Sequence, residues 1–400
     1  MIPYERWRSI LRDEPLPAAI CDLDAFDHNQ DRIMERLGPP PLTLRVATKS
    51  IRVPWLLRRV LDRGGAHFQG LMTFSAAETA SLAALDFDDL LLAYPVARPH
   101  EARQLADLVA AGTTLHITVD QPGHVQLLAR AAADANIMLG LCIDIDMSWR
   151  PLSGKAHFGV RRSPIRSAEQ AVALADIIRS TPGVTLTALL AYEAQIAGIR
   201  GTNPGSRHLD PVRRLIKRRS IPVVAARRNA VLDALTQAGH APSIVNGGGT
   251  GSLQTTSADP SVTEVTVGSG FYCPHLFDRY EDLPLQPAAF FALSVVRASD
   301  SDYVTCAGGG YIASGAAGPD RLPIVHLPEG LRPVPMEGFG EVQTPFLVAQ
   351  GPAPALGDPV VCRHAKAGEL PDRFDQLLIV QDGQIIERVP TYRGARQPVV

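Results

Sequence analysis

The chain has 400 residues, of which 46% are hydrophobic and 20% charged, enough for a large core and more than one domain. A net charge of −2 and a pI near 6.6 give no electrostatic reason to expect nucleic acid or an anionic membrane as a partner. Five scattered cysteines without metal-binding or redox spacing indicate reduced thiols, and neither a signal-peptide core nor a bilayer-spanning apolar run is visible, so a cytoplasmic protein is expected.

The segment from Leu42 to Tyr272 alternates short β-type runs with amphipathic helical segments. Between the β-type runs, apolar residues recur at helical spacing, and a Ser, Pro or Asp usually lies near the start of each helical segment. Eight such units in 231 residues, about 29 residues each, predict a closed (β/α)8 barrel of the TIM type, with an open doubly wound sheet as the alternative. The eight runs are LRVATK, HFQGLMTF, DLLLAYP, LHITVD, LGLCIDID, LTALLAYE, SIVNGGG and TEVTVGSG.

The pattern changes after about Leu285, where helical periodicity fades and Gly and Pro become frequent. Runs such as AFFALSVVRAS, YVTCAGGGYI and QLLIVQDGQIIERVP, the last with an Asp382-Gly383 turn, predict a C-terminal β domain. The early run AAICDLDAF precedes the eight barrel strands, so we expect it to pair with that domain. The predicted boundaries are residues 27–284 for the barrel and residues 1–26 with 285–400 for the β domain.

Lys49 ends the first barrel strand, in the stretch LTLRVATKS. The C-terminal tips of barrel strands carry the chemistry of this fold. An amine partly removed from water there can lose its proton and form a Schiff base with an aldehyde. The alternative is an ordinary strand-end lysine, whose stem packs on apolar surface while its amine stays in water. The functional interpretation requires an anionic partner that carries a carbonyl group.

Two glycine-rich segments offer a place for phosphate. NGGGTGS (Asn246–Ser252) follows the seventh barrel strand and VGSGFY (Val267–Tyr272) follows the eighth. Barrels often bind phosphate in these two loops, where glycines let backbone N–H groups approach the oxygens. Because the first and eighth strands adjoin in a closed barrel, Lys49 and both loops converge on one mouth. Pyridoxal phosphate satisfies both ends of such a site.

VATKS, NGGGTGS and TEVTVGSG resemble the motifs of the alanine racemase-like, fold type III enzymes that use pyridoxal phosphate. Within this family the chain is similar to the D-threonine aldolase and D-serine dehydratase branch, including its amino acid deaminase/aldolase members. The resemblance extends through GDPVVCRHAKAGE and VQDGQIIERVPTYRG near the C-terminal end. It implies a barrel followed by a β domain, a homodimer with active sites at its interface, and small D-configured amino acids as substrates.

The resemblance also implies which residues hold the cofactor. Lys49 is expected to carry pyridoxal phosphate as a Schiff base. The expected phosphate ligands are Gly248, Gly249, Thr250, Gly268 and Ser269.

Further cofactor contacts are expected after the fifth and sixth barrel strands. Tyr192 and Gln195 follow the sixth strand and would lie near the cofactor ring or the substrate, with ordinary strand-end packing as the alternative. In relatives, an arginine after the fifth strand contacts the phenolic oxygen of the cofactor. Here either Arg150 or His157 fills that role, and the sequence leaves the choice open.

The segment Arg363-His364-Ala365-Lys366 departs from the family. Relatives present a His-x-Cys or His-x-Asp pair that binds a divalent metal, whereas Lys366 stands here in place of the anionic ligand. An ammonium group has no lone pair for a metal and repels a divalent cation. We therefore expect no catalytic metal, with His364 and Lys366 acting together at the β-oxygen of the substrate. The alternative is that Lys366 pairs with Glu369 and that His364 is structural.

These features predict a lyase that acts on D-configured β-hydroxy amino acids. Retro-aldol cleavage to glycine, or a related amino acid, plus an aldehyde is favoured, since an uncharged lysine is a suitable base at the β-hydroxyl. Dehydration to a 2-oxo acid and ammonia is the main alternative. An amino acid racemase, with Tyr311 as its second base, and a non-catalytic cofactor carrier are further alternatives. Tyr311 or Glu341 would also be able to reach the barrel mouth of a partner subunit.

Overall fold

The computed structural model describes residues 2–37, 41–199, 204–280, 283–298 and 302–397. Its centre is a closed barrel of eight parallel strands, in which each strand pairs with the next and the last pairs with the first. The barrel strands are β2 (Thr43–Ala47), β3 (Phe68–Thr73), β4 (Leu90–Leu92), β5 (Leu115–Val119), β6 (Leu139–Asp144), β7 (Val184–Ala191), β8 (Ile244–Gly247) and β9 (Glu264–Val267). Closure confirms the predicted (β/α)8 barrel and excludes the open sheet.

A second sheet of nine strands forms the β domain. These strands are β1 (Ala18–Asp22), β10 (Ala289–Ala298), β11 (Tyr303–Ala307), β12 (Ile324–Leu327), β13 (Leu331–Pro333), β14 (Gln343–Val348), β15 (Pro359–Arg363), β16 (Gln376–Gln381) and β17 (Gln384–Pro390). Their main order is β13-β14-β11-β10-β1-β16-β17, with β15 also paired to β10 and to β12. The N-terminal strand β1 therefore lies inside the C-terminal sheet, antiparallel to β10 and parallel to β16.

The early run AAICDLDAF contains a strand and the start of a helix. Strand β1 ends at Asp22, and helix α2 (Leu23–Leu37) begins at the next residue. The carboxylate of Asp22 accepts a hydrogen bond of 3.1 Å from the backbone N–H of Ala25, which satisfies a donor in the first turn of this helix. The β-type run read from the sequence is thus too long by four residues, because Asp22 caps a helix that begins at Leu23.

Helices alternate with the barrel strands along the chain. The remaining helices are α1 (Tyr4–Ile10), α3 (Pro54–Gly64), α4 (Ala76–Ala83), α5 (Pro99–Ala110), α6 (Pro122–Ala135), α7 (Ala168–Ser180), α8 (Ala194–Ala197), α9 (Asp210–Gln237), α10 (Leu253–Ser257) and α11 (Ser269–Tyr272). Ser75 and Ser167 cap α4 and α7 through their hydroxyls, as expected for serine at a helix start. Within the described ranges, no helix combines the length and the apolar character needed to cross a membrane.

A buried charged network occupies the barrel interior. Arg45, on β2, donates to Glu264 on β9 at 2.7 Å and to Asp89 at 2.9 Å, and its side chain has no exposed surface. Asn246 donates to the same Glu264 carboxylate at 2.7 Å, and Thr266 donates to Asn246 at 2.9 Å. The network therefore links the first, seventh and eighth barrel strands, the three that the sequence analysis connects with the cofactor.

Replacing Arg45 by Met is expected to lower the free energy of unfolding by about 3–5 kcal/mol, because Glu264 would remain buried without its cation. Urea denaturation measures this change. The matched control is Arg179→Met, which removes an exposed ion pair with Asp176 and is expected to cost less than about 1 kcal/mol. Equal losses in the two variants would contradict a structural role for the network.

Candidate active site

A cavity of about 560 Å3 lies at the C-terminal ends of the barrel strands, where one edge of the β domain covers it. This is the end of the barrel at which (β/α)8 proteins place their active sites. The barrel contributes residues that follow β2, β4, β6, β7, β8 and β9, and the β domain contributes Arg321 and the segment 365–369. The mouth of the barrel and the β domain therefore form one site.

Lys49 lies in a short 3-10 turn directly after β2 and lines this cavity. Its Nζ donates a 3.0 Å hydrogen bond to the hydroxyl of Tyr94, which follows β4. Burial alone would raise the pKa of Tyr94, but the positive charges of Lys49 and Arg162 outweigh it and lower that pKa. The phenol thus holds the lysine amine at a defined place in the cavity.

The peptide of Lys49 is held in place by two contacts. The hydroxyl of Thr48 donates to the carbonyl of Met72 on β3 at 2.9 Å. On the opposite side, Gly368 of the β domain packs so closely that a Cβ there would lie 1.7 Å from the carbonyl oxygen of Lys49. Only glycine permits this approach without movement of the backbone, so the 3-10 turn Ala367–Glu369 is fitted to the tip of β2.

The two glycine-rich loops meet beside Lys49. Gly248, Gly249, Thr250, Gly268 and Ser269 all line the cavity. The Thr250 hydroxyl oxygen accepts from the backbone N–H of Gly268 at 3.3 Å and so joins the loop after β8 to the loop after β9. The hydroxyls of Ser50 and Ser269 lie 3.2 Å apart, and a Cβ on Gly268 would meet the Ser50 side chain at 2.8 Å. The structure therefore places all five expected phosphate ligands around one cradle.

A buried ion network supports the first of these loops, and sequence analysis missed it. Glu193, which is 1% exposed, accepts from the backbone N–H of Gly248 at 2.9 Å. Arg228 on α9 lies 3.2 Å from Glu193 and 2.6 Å from Asp259. The hydroxyl of Thr256 also donates to Glu193. Because Gly248 has a φ of 76°, this anchored carboxylate fixes a conformation that other residues rarely adopt.

Arg162, rather than Arg150 or His157, brings the cation after β6 into the cavity. Its guanidinium carbon lies 5.4 Å from the ring centroid of Tyr94 and 5.6 Å from that of Tyr192. Arg150 instead pairs with Asp146 at 2.5 Å, and His157 bonds to the carbonyl of Val160 at 3.2 Å. Neither is among the described residues that line the cavity.

Tyr192 and Gln195 separate into two environments. Tyr192 lines the cavity beside Arg162. Gln195 is 3% exposed and donates to the carbonyl of Met147 at 2.6 Å, outside the cavity lining. The packing alternative therefore describes Gln195, whereas Tyr192 faces the cavity.

His364 and Lys366 lie in different environments, and of the two only Lys366 is among the described residues that line the cavity. His364 is 3% exposed and lies outside the lining, and neither ring nitrogen has a partner at hydrogen-bond geometry within the described ranges. Burial, with the nearby charge of Arg363, lowers its pKa to about 3, so the ring is neutral at physiological pH. Strand β15 ends at Arg363, so His364 and Lys366 both lie beyond the strand.

Lys366 does line the cavity. Its Nζ donates to the hydroxyl of Ser314 at 2.9 Å and lies 3.4 Å from the carboxylate of Glu369. Ser314 in turn donates to Glu369 through its hydroxyl and its backbone N–H. The expected alternative, an ion pair with Glu369, is thus present, yet both partners face the cavity. In the described part of the chain, no three His, Cys, Asp or Glu residues are placed to hold a metal ion together.

The two β-domain residues considered for the barrel mouth of a partner lie away from this chain's own cavity. Tyr311 packs against Phe291 and Phe374, with ring centroids 5.0 and 4.9 Å away. Glu341 is exposed.

Several residues that sequence analysis did not select do line the cavity, namely Ser50, Arg52, Tyr94, Arg162, Asn246, Tyr280, Arg321 and Glu369. The RHAK motif pointed to the neighbourhood of Glu369, but no sequence signal marks Arg321.

The fold and this cavity define an alanine racemase-like barrel with a lysine at the tip of its first strand. The family described as "Alanine racemase, N-terminal domain" matches residues 21–275, and the chain belongs to that family. Among curated proteins, it is 24% identical over 266 residues to 3-hydroxy-D-aspartate aldolase of Paracoccus denitrificans (strain Pd 1222) and 22% identical over 253 residues to D-threonine aldolase of Arthrobacter sp. These matches cover 66% and 63% of this chain, but only 62% and 60% of the relatives.

Solved structures resemble the chain over nearly its whole length. D-threonine aldolase from Filomicrobium marinum superposes with a TM-score of 0.79 at 19% identity, covering 96% of each chain. D-threo-3-hydroxyaspartate dehydratase from Delftia sp. HT23 gives a TM-score of 0.76 at 19% identity, covering 96% of this chain and 98% of that chain. At this level of identity, the likeness shows that both the barrel and the β domain share the fold of these proteins.

The close contact at Gly368 leads to a stability prediction. Gly368→Ala is expected to lower the free energy of unfolding by about 1–3 kcal/mol, because the new methyl group can be accommodated only if the turn moves away from Lys49. Thermal and urea denaturation measure the loss. Gly123→Ala, in α6 with nothing within 4 Å of the added Cβ, is the control and is expected to be neutral or slightly stabilising. A Gly368→Ala protein as stable as the control would contradict the contact.

Proposed function

We propose that the protein is a pyridoxal phosphate-dependent lyase that cleaves D-configured β-hydroxy amino acids by a retro-aldol reaction. The observation that carries the proposal is that Lys49, the two glycine-rich loops and Lys366 share one cavity. The similarity to D-threonine aldolase and 3-hydroxy-D-aspartate aldolase supports this class of reaction. The D-configuration of the substrate is taken from those relatives.

The residues present fit pyridoxal phosphate. The loops of Gly248–Thr250 and Gly268–Ser269 would hold the phosphate, since their glycines leave room for it at the cavity wall and Thr250 ties the two loops together. Lys49 would bind the aldehyde end, and Arg162 with Tyr192 would flank the ring. When bound, this cofactor supplies an electron-accepting ring that stabilises negative charge at the substrate Cα.

The chain's own residues would control the protons. Lys366 Nζ faces the cavity, where it would hold the β-oxygen and, in its uncharged form, accept the hydroxyl proton as the Cα–Cβ bond breaks. Ser314 and Glu369 position this amine. We assign this role to Lys366 without His364, since that ring is buried behind the wall. The family's divalent metal is thus proposed to be replaced by a lysine.

Dehydration to a 2-oxo acid and ammonia is the second candidate. In its ammonium form Lys366, which lies 3.4 Å from the Glu369 carboxylate, would donate a proton to a departing hydroxyl rather than accept one. Lys49 would take the proton from Cα in this reaction. A racemase is less well supported, because Tyr311 packs between two phenylalanines outside the cavity. A non-catalytic cofactor carrier is also less well supported, because it would not need a β domain that brings Lys366 into the cavity.

We also propose that the protein works in the cytoplasm as a homodimer, as the family resemblance implies. All five cysteines lie within the described ranges, where they are free and buried, which suits a reducing compartment.

Borohydride reduction of the protein reconstituted with pyridoxal phosphate is expected to leave a pyridoxyl group on the peptide that contains Lys49, because this lysine lines the cavity and its neighbour Ser50 contacts the loop after β9. Peptide mass mapping identifies the modified residue. Lys155→Ala, an exposed lysine in the loop after β6, is the matched control and should label as the natural protein does. Labelling that persists in Lys49→Ala would overturn the cofactor assignment.

Replacing Lys366 by Met is expected to reduce kcat on D-threonine about 10²–10⁴-fold, the usual contribution of one acid or base. Products are to be identified directly: glycine with acetaldehyde supports cleavage, and 2-oxobutanoate with ammonia supports dehydration. Lys155→Met serves as the control, with unchanged kcat. A Lys366→Met protein as active as the control would show that the β-oxygen is handled elsewhere.

A further inference from the structure

Cationic side chains outnumber carboxylates at the cavity wall, where one cation is expected to serve the α-carboxylate that every amino acid substrate carries. Among its described lining residues, five side chains are cationic and one is a carboxylate. The cations are Lys49, Arg52, Arg162, Arg321 and Lys366, and the carboxylate is Glu369. A partly enclosed site with this balance favours anionic ligands beyond the phosphate of the cofactor.

Four of the five cations have contacts that account for them. Arg52 pairs with Asp372 at 2.5 Å at the rim of the cavity. Lys49 donates to a tyrosine hydroxyl, Arg162 lies over two aromatic rings, and Lys366 has its serine and glutamate partners. These four are therefore held in place by the protein itself.

Arg321 differs from the other four. It ends the 3-10 turn Pro319–Arg321, and its side chain is only 22% exposed. Its ion-pair contact is with the adjacent Asp320 at 3.9 Å, the outer limit of such a contact, and its Nε is buried with no hydrogen-bond partner in the described part of the chain. A guanidinium that is largely removed from water and weakly paired gains most from a new anionic partner.

The position of Arg321 indicates which part of a substrate it would reach. The backbone N–H of Ala313 donates to the carbonyl of Arg321 at 2.9 Å, and the next residue, Ser314, holds Lys366 Nζ. Ala313 also packs with Ala365, the neighbour of Lys366. Arg321 and Lys366 therefore lie on the same wall of the cavity, on the side proposed for the β-oxygen.

We propose that Arg321 is a specificity-determining residue that binds a second carboxylate, carried by the substrate beyond Cβ. The planar guanidinium matches a carboxylate through two parallel hydrogen bonds, a geometry that a neutral side chain cannot satisfy. The preferred substrate is then an acidic β-hydroxy amino acid of the 3-hydroxyaspartate type rather than threonine. This inference rests on the proposed lyase function and specifies its substrate.

The test compares kcat/KM of the holo-protein on D-threo-3-hydroxyaspartate and on D-threonine. The natural protein is expected to prefer the dicarboxylate. Arg321→Met is expected to lose about 10–100-fold in kcat/KM on 3-hydroxyaspartate and to change less than about 3-fold on D-threonine, since only the former loses a charged hydrogen-bond partner. Arg332→Met, an exposed arginine of β13, is the control and should alter neither value.

Binding without turnover supplies a second readout. Titration of the holo-protein with D-aspartate and with D-2-aminobutyrate, followed by the absorbance of the bound cofactor, is expected to give a Kd at least about 10-fold lower for D-aspartate. This arm needs no variant, so it stands if Arg321→Met fails to fold. Similar Kd values, or an equal loss of kcat/KM on both substrates in Arg321→Met, would overturn the assignment. Turnover of D-threonine alone by the natural protein overturns this inference only, whereas turnover of neither compound overturns the proposed function as well.

Discussion

The contact between the β domain and the tip of β2 is the constraint on which the site depends. Gly368 lies very close to the carbonyl of Lys49. This contact fixes how the 3-10 turn of the β domain packs against the turn that contains Lys49. That position brings Lys366 into the cavity that already contains Lys49. A barrel alone would present an amine and two glycine-rich loops, and the β domain adds a second lysine to the same cavity. The chemistry proposed here requires both.

Buried ion pairs hold the loops and strands that carry the lining residues. Glu193 and Arg228, both buried, fix the loop at Gly248, and the network around Arg45 joins the strands that carry the two loops and Lys49. Buried charges of this kind are costly unless each is paired, so they restrict how the barrel mouth can rearrange. The glycine-rich loops are therefore held rigidly on one side of the cavity. On the other side, Ser314 and Glu369 hold the amine of Lys366 in place.

Much of this arrangement follows from the sequence. Hydrophobic periodicity predicted all eight barrel strands, and their tips placed Lys49 and the glycine-rich loops together, because closure of a parallel barrel brings the first and last strands side by side. The differences between the predicted and the observed cavity lining depend on loop conformation. Arg150 forms an ion pair with Asp146, whereas Arg162 lies at the cavity over the ring of Tyr192. No local sequence pattern indicates which of these arginines faces the cavity. The sequence also carries no signal for side-chain packing at the contact between the two domains, where His364 is buried outside the cavity lining.

The central claim is that a lysine amine serves where relatives of the same fold are expected to use a divalent metal. Metal analysis of the purified, active holo-protein, combined with turnover of D-threonine and D-threo-3-hydroxyaspartate after exhaustive treatment with EDTA, tests it most directly. The account predicts far less than one divalent ion per chain and turnover unchanged by the chelator. Stoichiometric zinc or manganese, with activity lost to EDTA and restored by the ion, would contradict it.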